Sequence, residues 1–246
     1  MNWKNRFYAM GVHALFSLVL LSIALILVFK LWYPAPLDQA MGVTQVFWVI
    51  LAIDLILGPL LTFVIFNPKK KELKWDLLII VLIQLSAYVY GLYTVAQGRP
   101  VWQVFVVDDI ELVRAIDLDS TSKRKNDNEY QAKLFSQPRW VAAVYSLDPH
   151  VASQQKQDEM FGKSLASRPE TYQSLQNRSE QIKAKVQNLD NLFKFNAKAD
   201  VEKKLSAFNN FKIIGFLPVK SLSKDMVVLI GENAQPIAII DLRPWS

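Results

Sequence analysis

Residues 10–32 read MGVHALFSLVLLSIALILVFKLW, and the one interior polar group of note in this run is His13. Two further runs follow. Residues 43–66 (VTQVFWVILAIDLILGPLLTFVIF) enclose Asp54, and residues 77–96 (LLIIVLIQLSAYVYGLYTVA) enclose Gln84. At about 1.5 Å of rise per residue, each run is long enough to cross a hydrocarbon core roughly 30 Å thick. Three such lengths in succession are hard to bury in a small soluble fold. They predict a three-helix transmembrane anchor over residues 1–97 rather than core helices. Lys4 and Arg6 precede the first run, as they would in a signal peptide. Signal h-regions span only about 7–15 residues, however, and this run ends in Trp32-Tyr33 instead of a small-residue cleavage site, which favours an uncleaved helix.

Composition agrees with a chain of two kinds. Across 246 residues, 28 Lys and Arg stand against 22 Asp and Glu, with two His and no Cys. Hydrophobic residues make up 52%, charged residues only 20%, and mean hydropathy is +0.16. Soluble domains carry more charge than this. A purely soluble protein, a disordered chain and a disulfide-stapled scaffold are therefore excluded, as is thiol chemistry. Residues 1–97 hold seven basic and four acidic residues, leaving a net of +3 beyond them. That is too little for nucleic-acid binding, which needs a clustered basic face.

The short loops predict the orientation. Residues 67–76 (NPKKKELKWD) carry four lysines, whereas residues 33–42 (YPAPLDQAMG) carry no Lys or Arg. The positive-inside rule then puts the N-terminus and the lysine loop in the cytoplasm, beside anionic lipid. Three crossings leave residues 98–246 on the far side. The expectation is a bacterial inner-membrane protein with a periplasmic α+β domain, and the lack of cysteine is compatible with that compartment.

Within the anchor, Asp54, Gly58 and Thr62 recur at i, i+4 and i+8 and share one helix face. Ala87 and Gly91 do the same in the third helix, beside Gln84. Small residues at this spacing let helices approach, and polar ones add interhelical hydrogen bonds. Pro59 removes a backbone donor, so a kink is expected there. A lone charge at the depth of Asp54 costs several kcal/mol, so the residue is protonated, paired or hydrogen-bonded. Two roles stay open for it: a contact for a partner or a reaction, or an internal hydrogen bond, for example to Gln84.

Beyond the anchor, Arg99-Pro100 ends the third helix. Residues 101–107 (VWQVFVV) read as a strand, Asp108-Asp109 as a turn and 110–116 as its partner strand. Residues 117–137 read as loop or weak helix, and 139–147 as a strand. Residues 150–209 turn helical and charged. Pro169 opens the best helix candidate, with Leu175, Ile182, Val186, Leu189 and Phe193 forming one apolar stripe. Residues 211–219 form a strand, and 226–231 with 236–242 form a hairpin.

Catalytic options are few. His13 lies in the first helix and His150, after Pro149, in an expected loop of the outer domain, so they cannot share a site. No G-x-S-x-G, H-E-x-x-H or P-loop motif is present, and Asp108-Asp109 is a common turn pair rather than a metal site. An intramembrane aspartyl protease needs a second aspartate facing the first. Asp76 sits about half a membrane from Asp54 and cannot provide it.

In order and spacing, Trp32 to Leu37 (WYPAPL), Gly42-Val43-Thr44, residues 54–62 (DLILGPLLT), 84–91 (QLSAYVYG), 99–105 (RPVWQVF) and the closing Leu242-Arg243-Pro244-Trp245 resemble the type IV pilin accessory proteins of Gram-negative bacteria (TfpX/TfpZ type). The resemblance spans essentially the whole chain. It implies a non-enzymatic, cofactor-free inner-membrane factor that binds the major pilin, through both its membrane helix and its periplasmic head, and supports pilin stability or assembly into pili. Other pilus assembly proteins are further implied partners. An unassembled pilin is a globular head on one apolar helix with an acidic residue near its cytoplasmic end. His13, Asp54, Gly58, Thr62, Gln84, Ala87 and Gly91 are the candidate partner-binding residues, with the same residues holding the three helices together as the competing reading. A membrane-anchored periplasmic sensor or ligand-binding protein is the alternative function.

Overall fold

A computed structural model describes residues 3–118 and 128–245. The chain forms two compact units, one of residues 1–31 with 43–97, the other of Trp32–Gly42 with Gly98–Ser246. Three helices are long and apolar enough to cross a membrane, α1 (Trp3–Trp32), α2 (Val43–Ile65) and α3 (Leu73–Gly98), and they make up the first unit except for the last residues of α1 and α3, Trp32 and Gly98, which belong to the second. Helices α1 and α3 begin earlier than the apolar runs do. Helical hydrogen bonding propagates through Lys4, Arg6 and Lys74 as readily as through leucine, whereas hydropathy marks only the apolar part. The last residues of α1, Leu27–Trp32, are wound as a π-helix, and so are Ile53–Leu57 in α2. The second irregularity lies one turn before Pro59, whose ring removes a donor and crowds the carbonyl of Leu55.

Aromatic pairs lock α1 to α2 towards both ends. Phe7 meets Phe63 at 4.9 Å between ring centroids, and Phe29 meets Phe47 edge-on at 5.1 Å. Outward-facing positions are apolar: Leu15, Leu18 and Val19 on α1, and Leu78, Ile79, Leu82 and Ile83 on α3, are exposed. Ser17, Asp54 and Thr62 are buried. Polar groups inside and apolar groups outside reverse the pattern of a water-facing helix.

The second unit is a helix-plus-mixed-sheet domain. Its seven strands are β1 (Pro100–Val106), β2 (Asp109–Arg114), β3 (Arg139–Ala143), β4 (Tyr172–Gln173), β5 (Ile213–Lys220), β6 (Met226–Gly231) and β7 (Pro236–Ile240). They form one sheet in the order β4-β3-β1-β2-β5-β6-β7, with β1/β3 and β2/β5 parallel and the other pairs antiparallel. Helices α4 (Pro149–Met160), α5 (Ser179–Lys185) and α6 (Lys198–Ser206) lie in the connections. Central strands are buried on both faces, which is why β1 and β6 read as continuous apolar runs. Alternate residues of β6 feed different cores: Met226, Val228 and Ile230 join Phe105, Leu217 and Val219, while Val227 and Leu229 join Leu192, Val201 and Phe216.

The connector Trp32–Gly42 is part of this domain. Ala40 is fully buried in the first of those cores, and its carbonyl accepts from the N–H of Ser223 (2.9 Å) and Lys224 (3.2 Å) and from Ser221 Oγ (3.0 Å).

Three sequence expectations change. The β1–β2 turn is Val107-Asp108, and Asp109 instead opens β2 as a buried residue. The strand expected over 139–147 ends at Ala143. The helix expected from Pro169 is broken into 3-10 turns around the short α5, with β4 before it. Leu175 and Ile182 are buried as the stripe implies, but Phe193 is exposed. The cause is backbone pairing. Gln187 N–H donates to the Phe216 carbonyl at 2.9 Å and the Gln187 carbonyl accepts from Phe216 N–H at 3.0 Å, which draws the chain out of the helix after Lys185. Gly215 permits this approach, because a Cβ there would lie 2.2 Å from the Gln187 carbonyl oxygen. Of the segment expected as loop or weak helix over 117–137, residues 119–127 lie outside the described residues; 3-10 turns occupy Ala115–Asp117 and Asn128–Tyr130.

Candidate functional site

Five of the seven residues singled out in the helices come together in one polar cluster. Gln84 of α3 is its hub. The Gln84 side-chain amide donates to the Asp54 backbone carbonyl at 2.8 Å and to Ser17 Oγ at 3.1 Å. Its Oε1 lies 2.7 Å from His13 Nε2, and His13 Nδ1 lies 2.6 Å from Thr62 Oγ1. Because both amide protons of Gln84 are used, its oxygen must accept, so His13 carries its proton on Nε2. In the neutral ring Nδ1 then accepts from the Thr62 hydroxyl. All three helices are joined by one ordered set of donors and acceptors.

Gly58 is where α2 comes close enough for this. A Cβ at Gly58 would sit 2.2 Å from Gln84 Oε1. Asp54 is only 7% exposed, and the internal hydrogen bond anticipated between it and Gln84 is made by its backbone carbonyl; its Oδ1 has no hydrogen-bond partner among the described residues. Ala87 is exposed and Gly91 half-buried, and neither is among the cluster's hydrogen-bonding partners. Ser17 and Tyr88 were missed. Tyr88 donates to the Leu20 carbonyl at 2.9 Å. Both could have been found from spacing, since Ser17 follows His13 by four residues and Tyr88 follows Gln84 by four.

Beside the cluster runs an apolar groove of about 450 Å³, lined by Tyr8, Ala9, Val12, His13 and Phe16 of α1, Thr62 of α2 with Phe66, and Leu77 and Val81 of α3. It lies towards the end of the unit that carries Arg6 and the lysine loop. His13, Thr62 and the Tyr8 hydroxyl are the polar groups of its lining.

The sheet domain holds a different feature, a polar cleft of about 550 Å³ lined by Glu111, Asp117, Lys163, Ser164, Ser167 and Arg168 among others. Burial pushes the Glu111 carboxyl up, against the opposing effect of the bond it accepts from Ser164 Oγ at 2.6 Å. Burial likewise raises Asp109, although Lys220 Nζ pairs with it at 2.5 Å. The Tyr145 hydroxyl is pushed up to about 12, first by burial and then by its bond to Glu159. His150 sits in the first turn of α4 rather than in the expected loop, its backbone N–H donating to the capping Asp148 at 2.8 Å. Among the described residues, no three His, Cys, Asp or Glu side chains are grouped so as to hold a metal ion.

Comparison with known proteins gives a consistent result. The family model for the fimbrial assembly protein FimB matches residues 1–42. Two fimbrial assembly proteins of Dichelobacter nodosus, from serogroups I and E1, are each 29% identical over 243 residues, covering 96% of this chain and 95% of theirs. A third, from serogroups C1 and C2 of the same organism, is 42% identical over 110 residues, 44% of this chain and 84% of its own. No solved structure matches. The matched family segment includes His13, Ser17 and the whole connector that enters the sheet domain, and the full-length relatives extend the similarity across both units. The chain belongs to the fimbrial assembly protein family.

Proposed function

We propose that this protein is a non-catalytic inner-membrane accessory factor of a type IV pilus, which binds the major pilin and supports its stability or its assembly into pili. Family membership carries this reading. Its helices cross the inner membrane with the N-terminus and the lysine loop in the cytoplasm and the sheet domain in the periplasm, an orientation supported by the lysine bias of the loops. The apolar groove receives the pilin's membrane helix. An aliphatic and aromatic wall suits such a helix, and the groove lies near the cytoplasmic end, where the pilin's acidic residue enters. His13 and Thr62 contribute polar groups to that surface, Asp54, Gly58 and Gln84 hold its wall in shape, and Ala87 and Gly91 extend the contact face along α3.

Groove-filling variants test this. Ala9→Phe and Val12→Phe leave the polar cluster intact and are expected to abolish pilin co-purification and piliation while the accessory protein accumulates normally. Unchanged co-purification would refute the groove. Gene deletion separates the readings: loss of processed pilin or of pili supports an assembly factor, whereas accumulated unprocessed prepilin indicates a peptidase. The cleft beside Glu111 supports one second reading, a membrane-anchored ligand-binding protein, for which deletion would leave pilin unchanged.

A further inference from the structure

We infer that the sheet domain carries a lipid-interface foot, formed by Ile116 and Leu134-Phe135, that rests in the phospholipid headgroup region beside the points where the chain leaves α1 and α3. The inference builds on the transmembrane reading of the three helices. Trp32 is the last residue of α1, and its indole Nε1 donates to the Leu134 carbonyl at 2.7 Å. Arg99 directly follows α3. Its guanidinium lies 6.0 Å from the centre of the Trp32 ring, its Nη2 donates to the Lys133 carbonyl at 3.5 Å, and its own carbonyl accepts from Ala115 N–H at 2.9 Å. Ala115, Lys133 and Leu134, the chain neighbours of Ile116 and Phe135, are thus tied by hydrogen bonds to Trp32, which ends α1, and to Arg99, which follows α3.

At this place Ile116 is 62% exposed, Leu134 47% and Phe135 73%. Apolar side chains held at the exit of a membrane helix meet the headgroup layer rather than bulk water. Tryptophan at a helix end marks that depth, and an aromatic ring favours it. Exposed Lys133 sits next to them, where anionic headgroups attract cations. Leu147, Met160 and Phe161 are exposed too, but among the described residues no hydrogen bond ties them to a helix exit.

The chain has no cysteine, so single-cysteine variants of the full-length protein report one position each. Ile116→Cys, Phe135→Cys, Leu147→Cys and Ile83→Cys are labelled with a small fluorophore and reconstituted in phosphatidylcholine–phosphatidylglycerol vesicles. Each is quenched either by headgroup-proximal nitroxide phospholipid or by aqueous iodide. Labels at 116 and 135 are expected to lose fluorescence to the nitroxide lipid and resist iodide, as at 83, with the reverse at 147. If 116 and 135 behave like 147 while 83 stays lipid-quenched, the foot is refuted and the transmembrane reading survives. If 116 and 135 are shielded from both quenchers, protein covers them and the lipid assignment is wrong. Iodide quenching at 83 would overturn the transmembrane reading and the foot with it.

Discussion

Replacing Gly58 with alanine places a methyl group 2.2 Å from Gln84 Oε1, so the Gln84 side chain must move. It then gives up its bonds to His13, Ser17 and the Asp54 carbonyl. Interhelical hydrogen bonds in membranes average about 0.6 kcal/mol each, and bonds lost from buried partners cost about 1–1.5 kcal/mol each, so the three together are worth about 2–4 kcal/mol. Against this, alanine is about 1 kcal/mol better than glycine inside a helix. Gly58→Ala should therefore destabilise the helical unit by about 1–3 kcal/mol. In a Gln84→Ala background the methyl group meets no amide, and the same change should be neutral or stabilising by up to about 1 kcal/mol. The cycle predicts a coupling energy of about 2–4 kcal/mol between two residues 26 apart in sequence. Reversible unfolding of the full-length protein in mixed micelles measures all four corners. Gly11→Ala is the control, since nothing lies within 4 Å of a Cβ at that position. Equal effects of Gly58→Ala in both backgrounds would refute the claim that Gln84 sets the approach of α2 and α3.

Glu111 supplies a pH test. Burial raises its folded-state pKa above the ordinary 4.5, so the folded form holds its proton more tightly and stability falls as pH rises from about 4.5 through the folded value. Glu111→Gln, which still accepts from Ser164, should stabilise the domain at neutral pH, with the gain vanishing below about pH 4.5 in pH-dependent melts. A fragment of residues 98–246 lacks buried Trp32, Tyr33, Leu37, Ala40 and Met41. At about 1.5–3 kcal/mol per large side chain this loss rivals a whole domain's stability, so the fragment should melt without a cooperative transition, and joining residues 32–42 to it should restore one in calorimetry. Gly215→Ala drives a Cβ into the Gln187 carbonyl oxygen at a φ of +153° and should cost a few kcal/mol, visible as a lowered Tm of the sheet domain.

The three apolar helices, their approximate ends and most of the strands followed from sequence alone. Hydropathy over twenty residues and short β-runs bounded by Asp, Pro and Gly are local properties, and partitioning and strand pairing both act on them directly. The shared face of Asp54, Gly58 and Thr62 was legible for the same reason, since helical spacing is local. Tertiary structure decided the rest. That Gln84 bonds His13 of one helix and the Asp54 carbonyl of another depends on which faces meet, and no periodicity within a single helix contains that. The stretch from Pro169 has a helical stripe, yet Phe216, distant in sequence, captures Gln187 and ends α5. The connector Trp32–Gly42 reads as a plain loop between two helices, but Ala40 completes a core whose other members lie more than 60 residues away. Local patterns specify what each segment prefers; long-range hydrogen bonds and burial select among those preferences, because only the assembled chain satisfies its buried polar groups.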